Sequence, residues 1–125
     1  MIVGIGTDIV RIARIKDALN RHGDRMAQRI LTPAEQALLR DHSDPARFLA
    51  KRWAAKEAAA KALGTGIRGA VNFHCFEVQN DDLGKPELTC SAGAAERLAN
   101  LGGASCWLTL SDEEEYAVAF VVLSA

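Results

Sequence analysis

Glu57 and Lys61 lie four residues apart in a continuous run of helix-forming residues, so they share one helical face. Lys56 falls about 100° around the same turn. Gly64-Thr65-Gly66 then stops the helix and frees backbone N–H groups. An acid, two amines and an amide-rich loop so close together suit a metal–phosphate site. The bland reading of the same residues is a surface ion pair, because Glu before Lys at this spacing is the favoured helical orientation. A second segment adds weight. Gly4-Ile5-Gly6-Thr7-Asp8-Ile9-Val10 reads as a short buried strand running into a turn, with the Asp8 carboxylate at its end. Asp8 also suits the N-cap of a following helix, and both roles are compatible.

The elements that must position these residues follow from periodicity and from start and stop signals. A first strand covers about 2–7. A helix from about 9 to 21 carries Ile9, Ile12, Ile15 and Leu19 at helical spacing, and Gly23 interrupts it. Thr32-Pro33-Ala34-Glu35 is a compact helix start, with Thr as N-cap, Pro first and Glu three after the cap. That helix runs to about Arg40. Asp44-Pro45 repeats the device and opens the long helix to Leu63, which Gly64 ends. The stretch 71–78 is extended, with a turn at 80–85 and a short strand to about Cys90. Ser91 is placed to cap a helix over 92–101, which Gly102-Gly103 ends. Segments 104–110 and 116–123 form a closing hairpin around an acidic turn. The order β-ααα-ββ-α-ββ predicts an α+β fold, with a mostly antiparallel sheet and one long helix packed on it.

Bulk properties narrow the class. The 125 residues predict a single domain over 1–125. A net charge of −1 argues against a general nucleic-acid binder. No apolar run approaches the length of a membrane span, and no secretory leader is readable, so a cytoplasmic protein is expected. Cys75, Cys90 and Cys106 match neither a zinc pattern nor a disulfide framework, and reduced buried thiols are expected. His22, His42 and His74 fall at no catalytic spacing.

Five segments in chain order carry a family resemblance: GIGTDIVRIARI (4–15), RILTPAE (29–35), RFLAKRWAAKEAAAKALGTGI (47–67), FEVQNDDLGKP (76–86) and LTLSDEEEYAVA (108–119). The chain resembles the holo-[acyl-carrier-protein] synthases, the small single-domain class of 4′-phosphopantetheinyl transferases. The resemblance implies transfer of 4′-phosphopantetheine from coenzyme A to a serine of apo-acyl carrier protein, in fatty acid biosynthesis, with release of adenosine 3′,5′-bisphosphate. Asp8 and Glu57 match the family's metal pair. Both are hard oxygen donors suited to Mg²⁺, which takes its other ligands from water and phosphate. Lys61 then reaches the phosphate that gains charge, and Lys56 faces the phosphates or pairs with a carboxylate. The proton acceptor is Glu57 itself or a water on the metal.

For the coenzyme, Gly64, Thr65 and Gly66 imply a loop whose amides approach the pyrophosphate. Gly64-Thr-Gly-Ile-Arg-Gly69 follows a helix rather than a strand, so it is no dinucleotide fingerprint. By resemblance Lys85 lies near phosphate and Pro86 against the adenine. Arg47 and Arg52 are candidates to meet the 3′-phosphate, with an exposed helix face as the other reading of Arg47. The acidic run 112–115 reads as a solvated turn. Trp107 is a departure, since family members often carry His there. The family is homotrimeric, with sites between subunits, and docks its acidic carrier protein through the first helix. Arg11, Arg14, Arg21 and Arg25 form a basic stripe suited to that, Arg14, Arg21 and Arg25 above all, although Gly23 can break it. Two other classes stay in view. A hot-dog-type acyl-CoA thioesterase places one long helix early against a long sheet and needs no Mg²⁺. A non-catalytic coenzyme A-binding module leaves Asp8, Glu57 and Lys61 without a purpose.

Overall fold

The computed structural model describes residues 1–125. Strand β1 (Ile2–Arg11) leads into four helices, α1 (Ile12–His22), α2 (Asp24–Ile30), α3 (Pro33–Arg40) and α4 (Pro45–Ala62). A 3₁₀ turn at Phe73–Cys75 precedes the hairpin β2 (Phe76–Asn80) and β3 (Pro86–Cys90). Helix α5 (Ala92–Asn100) and the hairpin β4 (Ser105–Asp112) and β5 (Tyr116–Ser124) complete the chain. All pairing of these strands is antiparallel, in a three-stranded sheet of order β1-β5-β4 and a separate β2-β3 ribbon. The α+β expectation therefore holds, with one more helix before the ribbon than the sequence suggested.

Helix α4 is the central element, buried on almost every face. Ala54, Ala55, Ala58, Ala59 and Ala60 are fully buried. With a methyl group as the largest projection, the helix lies directly on the sheet. The glycines of β1 complete the fit. A Cβ on Gly6 would stand 2.1 Å from the Ala58 carbonyl oxygen, and one on Gly4 2.2 Å from that of Ala62. From Gly4 onward the even-numbered residues of β1 thus face α4, and the alternation of a strand carries Asp8 onto the same face.

The boundaries differ from expectation in a few places. Strand β1 extends to Arg11 because it pairs with β5 along its length, ending at Arg11 opposite Tyr116. Asp8 is consequently inside the strand and caps no helix. Ile9 points outward at 62% exposure instead of opening α1. The i, i+3 spacing of Ile9 and Ile12 spans a change from strand to helix and mimics one helical period. At Gly23 the backbone turns at φ 56°, and α2 begins at once, burying Ala27 and Ile30. The capping box at Thr32 and Glu35 is present in full. Residues 73–75 form a 3₁₀ turn rather than strand, started by Asn72, whose side chain accepts from the His74 N–H. Ser91 does not cap α5 with its side chain; its hydroxyl donates to the Cys75 carbonyl.

Candidate active site

The approach of β1 to α4 brings Asp8, Glu57 and Lys61 together. Lys61 Nζ donates to Asp8 Oδ1 at 3.0 Å and to the Thr7 carbonyl at 3.1 Å. The anticipated ion pair within α4, Glu57 to Lys61, is not formed; the lysine reaches across to β1 instead. Glu57 is left half-buried with its proton affinity raised, first by burial and then by the Asp8 charge. The charges of Lys61 and Arg14 act in the opposite direction. Two carboxylates and an ammonium therefore share one patch, and an arginine of α1 overlooks it.

Nowhere in the structure do three His, Cys, Asp or Glu side chains converge as a metal cage. Asp8 and Glu57 offer two hard oxygen donors whose mutual repulsion is visible in the Glu57 shift. That donor set fits Mg²⁺, which keeps waters and takes phosphate oxygens, and does not fit a closed zinc site. Two cavities, of about 1070 and 430 Å³, are lined by neither Asp8, Glu57 nor Lys61. The cluster sits at the surface of one chain.

The loop after α4 corrects an expectation. Gly64 and Gly66 take φ 79° and 65°, as a helix stop requires. Their N–H groups are not free, however. Gly64 donates to the Lys61 carbonyl, and Thr65 and Gly66 both donate to Ala60. The amides satisfy the last carbonyls of α4 and form no open anion nest. Thr65 adds a hydroxyl bonded to the Gly66 carbonyl.

Arg52 differs from expectation, while Lys56 takes the second of its two expected roles and pairs with a carboxylate. Both are buried around Glu35, which the sequence marked only as a cap residue. Lys56 Nζ lies 2.6 Å from Glu35 Oε1 and 2.6 Å from the Ile30 carbonyl. Burial lowers the pKa of both cations, and the Glu35 charge opposes it. The Arg52 guanidinium stacks 4.0 Å from the Phe48 ring centre and donates to the Val78 carbonyl. Its Nε stands 3.4 Å from Glu35 Oε2 without a hydrogen bond. Glu35 accepts in addition from the N–H groups of Thr32 and Val78. This hub joins α3, α4 and β2, and Arg52 is not presented to a coenzyme phosphate. A lone buried carboxylate with two cations gives no periodic signal, which is why sequence reasoning missed it.

Arg47 is likewise engaged. It binds Asp44, Asp112 and the carbonyls of Glu113 and Glu114. The acidic turn is therefore partly a latch on the start of α4. Burial alone would raise the Asp112 pKa, but the Arg47 hydrogen bond and the Lys51 charge outweigh it and hold it below the ordinary value. Lys85 is exposed, makes no ion pair, and follows a turn closed by the Asp81 carboxylate. Pro86 opens β3 opposite Asn80. Both stand on the ribbon, which shares no ladder with β1. Trp107 donates to Ser124 Oγ on the outer sheet face.

Arg14, Arg21 and Arg25 are exposed around a groove of about 430 Å³. Its apolar lining includes Ile15, Met26 and Trp53, and Arg29 extends the basic rim. The Gly23 break does not scatter Arg14, Arg21 and Arg25, because α2 keeps Arg25 and Arg29 on the groove. Arg11, the other member expected of the stripe, ends β1 instead, donates to the Tyr116 hydroxyl and does not line the groove.

The chain matches the family model of the 4′-phosphopantetheinyl transferase superfamily over residues 4–121. It is 53% identical over 124 residues to the holo-[acyl-carrier-protein] synthase of Yersinia enterocolitica, covering 99% of this chain and 98% of that one. Among solved structures, the holo-[acyl-carrier-protein] synthase of Neisseria meningitidis superposes with a TM-score of 0.92 at 47% identity, over all of both chains. The Bacillus anthracis enzyme, solved in complex with CoA (3′,5′-ADP), gives 0.83 at 42%, over 100% of this chain and 99% of that one.

Proposed function

The chain belongs to the 4′-phosphopantetheinyl transferase superfamily, among its holo-[acyl-carrier-protein] synthases, and on that premise we propose that it transfers 4′-phosphopantetheine from coenzyme A to a serine hydroxyl of apo-acyl carrier protein. Adenosine 3′,5′-bisphosphate leaves. Residues 1–125 act as one transferase domain, placed in the cytoplasm and serving fatty acid biosynthesis. The observation that carries the reading is the Asp8–Lys61 contact beside a Glu57 of raised proton affinity.

Each residue has a role that follows from its surroundings. Asp8 and Glu57 hold Mg²⁺, which when bound supplies positive charge at the pyrophosphate. Lys61 is more than half exposed, so its ammonium can turn from Asp8 toward a phosphate oxygen and offset charge there. Glu57 is the carboxylate placed to take the proton of the attacking serine. Phosphoryl transfer needs mainly positioning and charge stabilisation, so a sparse site is adequate. For the coenzyme, Lys85 meets a phosphate and Pro86 the adenine, while Gly64, Thr65 and Gly66 shape the turn beside Lys61. Arg14, Arg21 and Arg25 receive the acidic carrier protein.

The surface position of the cluster also supports a homotrimer with sites between subunits. The sheet face turned away from α4 is apolar, and Ile5, Val122 and Trp107 form one cross-strand row on it. Phe120 lies between Thr7 and Thr109 in the next row. Ile5 is 61% exposed, Trp107 55% and Phe120 42%. Two further copies, meeting through this face around a threefold axis, cover these side chains. The test is incubation with apo-carrier protein, coenzyme A and Mg²⁺ followed by intact mass. Gain of one phosphopantetheine group on the carrier supports the reading; an unmodified carrier with intact coenzyme refutes it.

A further inference from the structure

Cys90 ends β3 and Cys106 lies at the start of β4, on strands of two different sheets. Strands β3 and β4 run side by side but share no ladder hydrogen bonds. Across that seam the two Sγ atoms stand 3.3 Å apart. Both residues are only half-buried. The third thiol, Cys75, is buried and bonded to the Ala70 carbonyl and the Asn72 side chain instead. The geometry points to Cys90 and Cys106 as a redox-active dithiol that closes to a disulfide, tying the β2–β3 ribbon to the three-stranded sheet. This inference is independent of the transfer reaction.

The contact is close to what bonding requires. A disulfide has an S–S length of about 2.05 Å, so closure moves the sulfurs together by only about 1 Å. Either sulfur can donate in the shared hydrogen bond, so either thiol can react first, with the other as the resolving thiol. The oxidant is a hydroperoxide, small enough for a half-open seam. One sulfur attacks one peroxide oxygen and the O–O bond breaks. Hydroxide leaves and takes a proton to become water. The other sulfur then attacks the sulfenic sulfur and a second water leaves. Two thiols and one hydrogen peroxide give one disulfide and two waters, a two-electron exchange that dithiothreitol reverses.

The experiment treats the full-length protein with hydrogen peroxide, with and without the sulfenic acid trap dimedone, and maps it by mass spectrometry. In the wild type and in Cys75→Ala we expect a Cys90–Cys106 cross-linked peptide, loss of two hydrogens and no dimedone adduct. In Cys90→Ser, Cys106 has no resolving partner and accumulates the adduct. In the oxidised wild type the melting temperature rises by roughly 5 °C over the reduced form, since the bond closes a loop around α5. Full alkylation of both thiols after peroxide, or equal dimedone trapping in wild type and Cys90→Ser, overturns the proposal. The wild-type map needs no variant to fold, so the test stands even where Cys90→Ser is unstable.

Discussion

Lys61 Nζ and Asp8 Oδ1 stand 3.0 Å apart across the contact between α4 and β1, joining residues far apart in the chain. That ion pair depends on backbone packing. Only glycine at positions 4 and 6 lets α4 come down on β1, and Asp8 is the next residue on the same face. With Lys61 drawn to Asp8, Glu57 keeps no salt-bridge partner and sits beside a like charge.

The metal assignment is tested by removing either carboxylate. Asp8→Ala and Glu57→Ala are expected to lower the transfer rate by about 10²-fold or more and to abolish its response to added Mg²⁺. Circular dichroism should report an unchanged fold. Full activity of both variants in excess EDTA would contradict the assignment.

The raised pKa of Glu57 makes a pH-dependent stability claim. Folding makes this carboxyl hold its proton more tightly than the unfolded chain does, where its pKa is about 4.3. Its contribution is thus fully present below the unfolded pKa and is lost as pH rises through the folded value. Glutamine mimics the protonated form at all pH. Without Mg²⁺, Glu57→Gln should therefore melt above the wild type at neutral pH, and the gap should close in acid. A variant that melts below the wild type at neutral pH would show that burial and Asp8 do not strain this group.

Gly6→Ala tests the close approach. The added methyl would meet the Ala58 carbonyl oxygen at 2.1 Å, a backbone atom that cannot rotate away. A loss of about 3 kcal/mol is expected, seen as a melting temperature lower by roughly 10 °C. Activity should fall further than stability explains, because Asp8 is displaced from Lys61. Near-wild-type melting would mean that α4 does not rest on β1.

Charge reversal on the basic groove separates carrier docking from coenzyme binding. Arg21→Glu should raise KM for the carrier protein about tenfold and leave KM for coenzyme A nearly unchanged. Arg14→Glu should do the same and also slow the chemistry, because Arg14 acts on Glu57. Wild-type carrier affinity should weaken as salt rises, with a flatter response in both variants. Equal losses toward the two substrates would remove this face as the docking site.

Assembly is tested on the outer sheet face. Phe120→Glu places a charge in the middle of the apolar face while its neighbours in β5, Ala119 and Val121, stay in the core. Light scattering should report a trimer for the wild type and a monomer for the variant, with transfer activity lost. A fully active wild-type monomer at assay concentration would refute sites between subunits.

The sequence by itself determined what is local. Thr32, Pro33 and Glu35 spell a helix start whose geometry needs only neighbouring residues, and the structure carries both halves of that capping box. The α+β class was legible for the same reason, whereas the pairing of Asp8 with Glu57 and Lys61 was implied by the family resemblance and not by any short-range period. Tertiary structure decided the partners. An alanine-rich helix has no apolar stripe to show which face is covered, so Arg52 read as a phosphate contact, and the carboxylate partner of Lys56 stayed unnamed, until Glu35 from another helix met both. The amides of Gly64, Thr65 and Gly66 read as open until the end of α4 claimed them. Cys90 and Cys106 read as unrelated thiols, because only the packing of one sheet edge against another sets their sulfurs side by side.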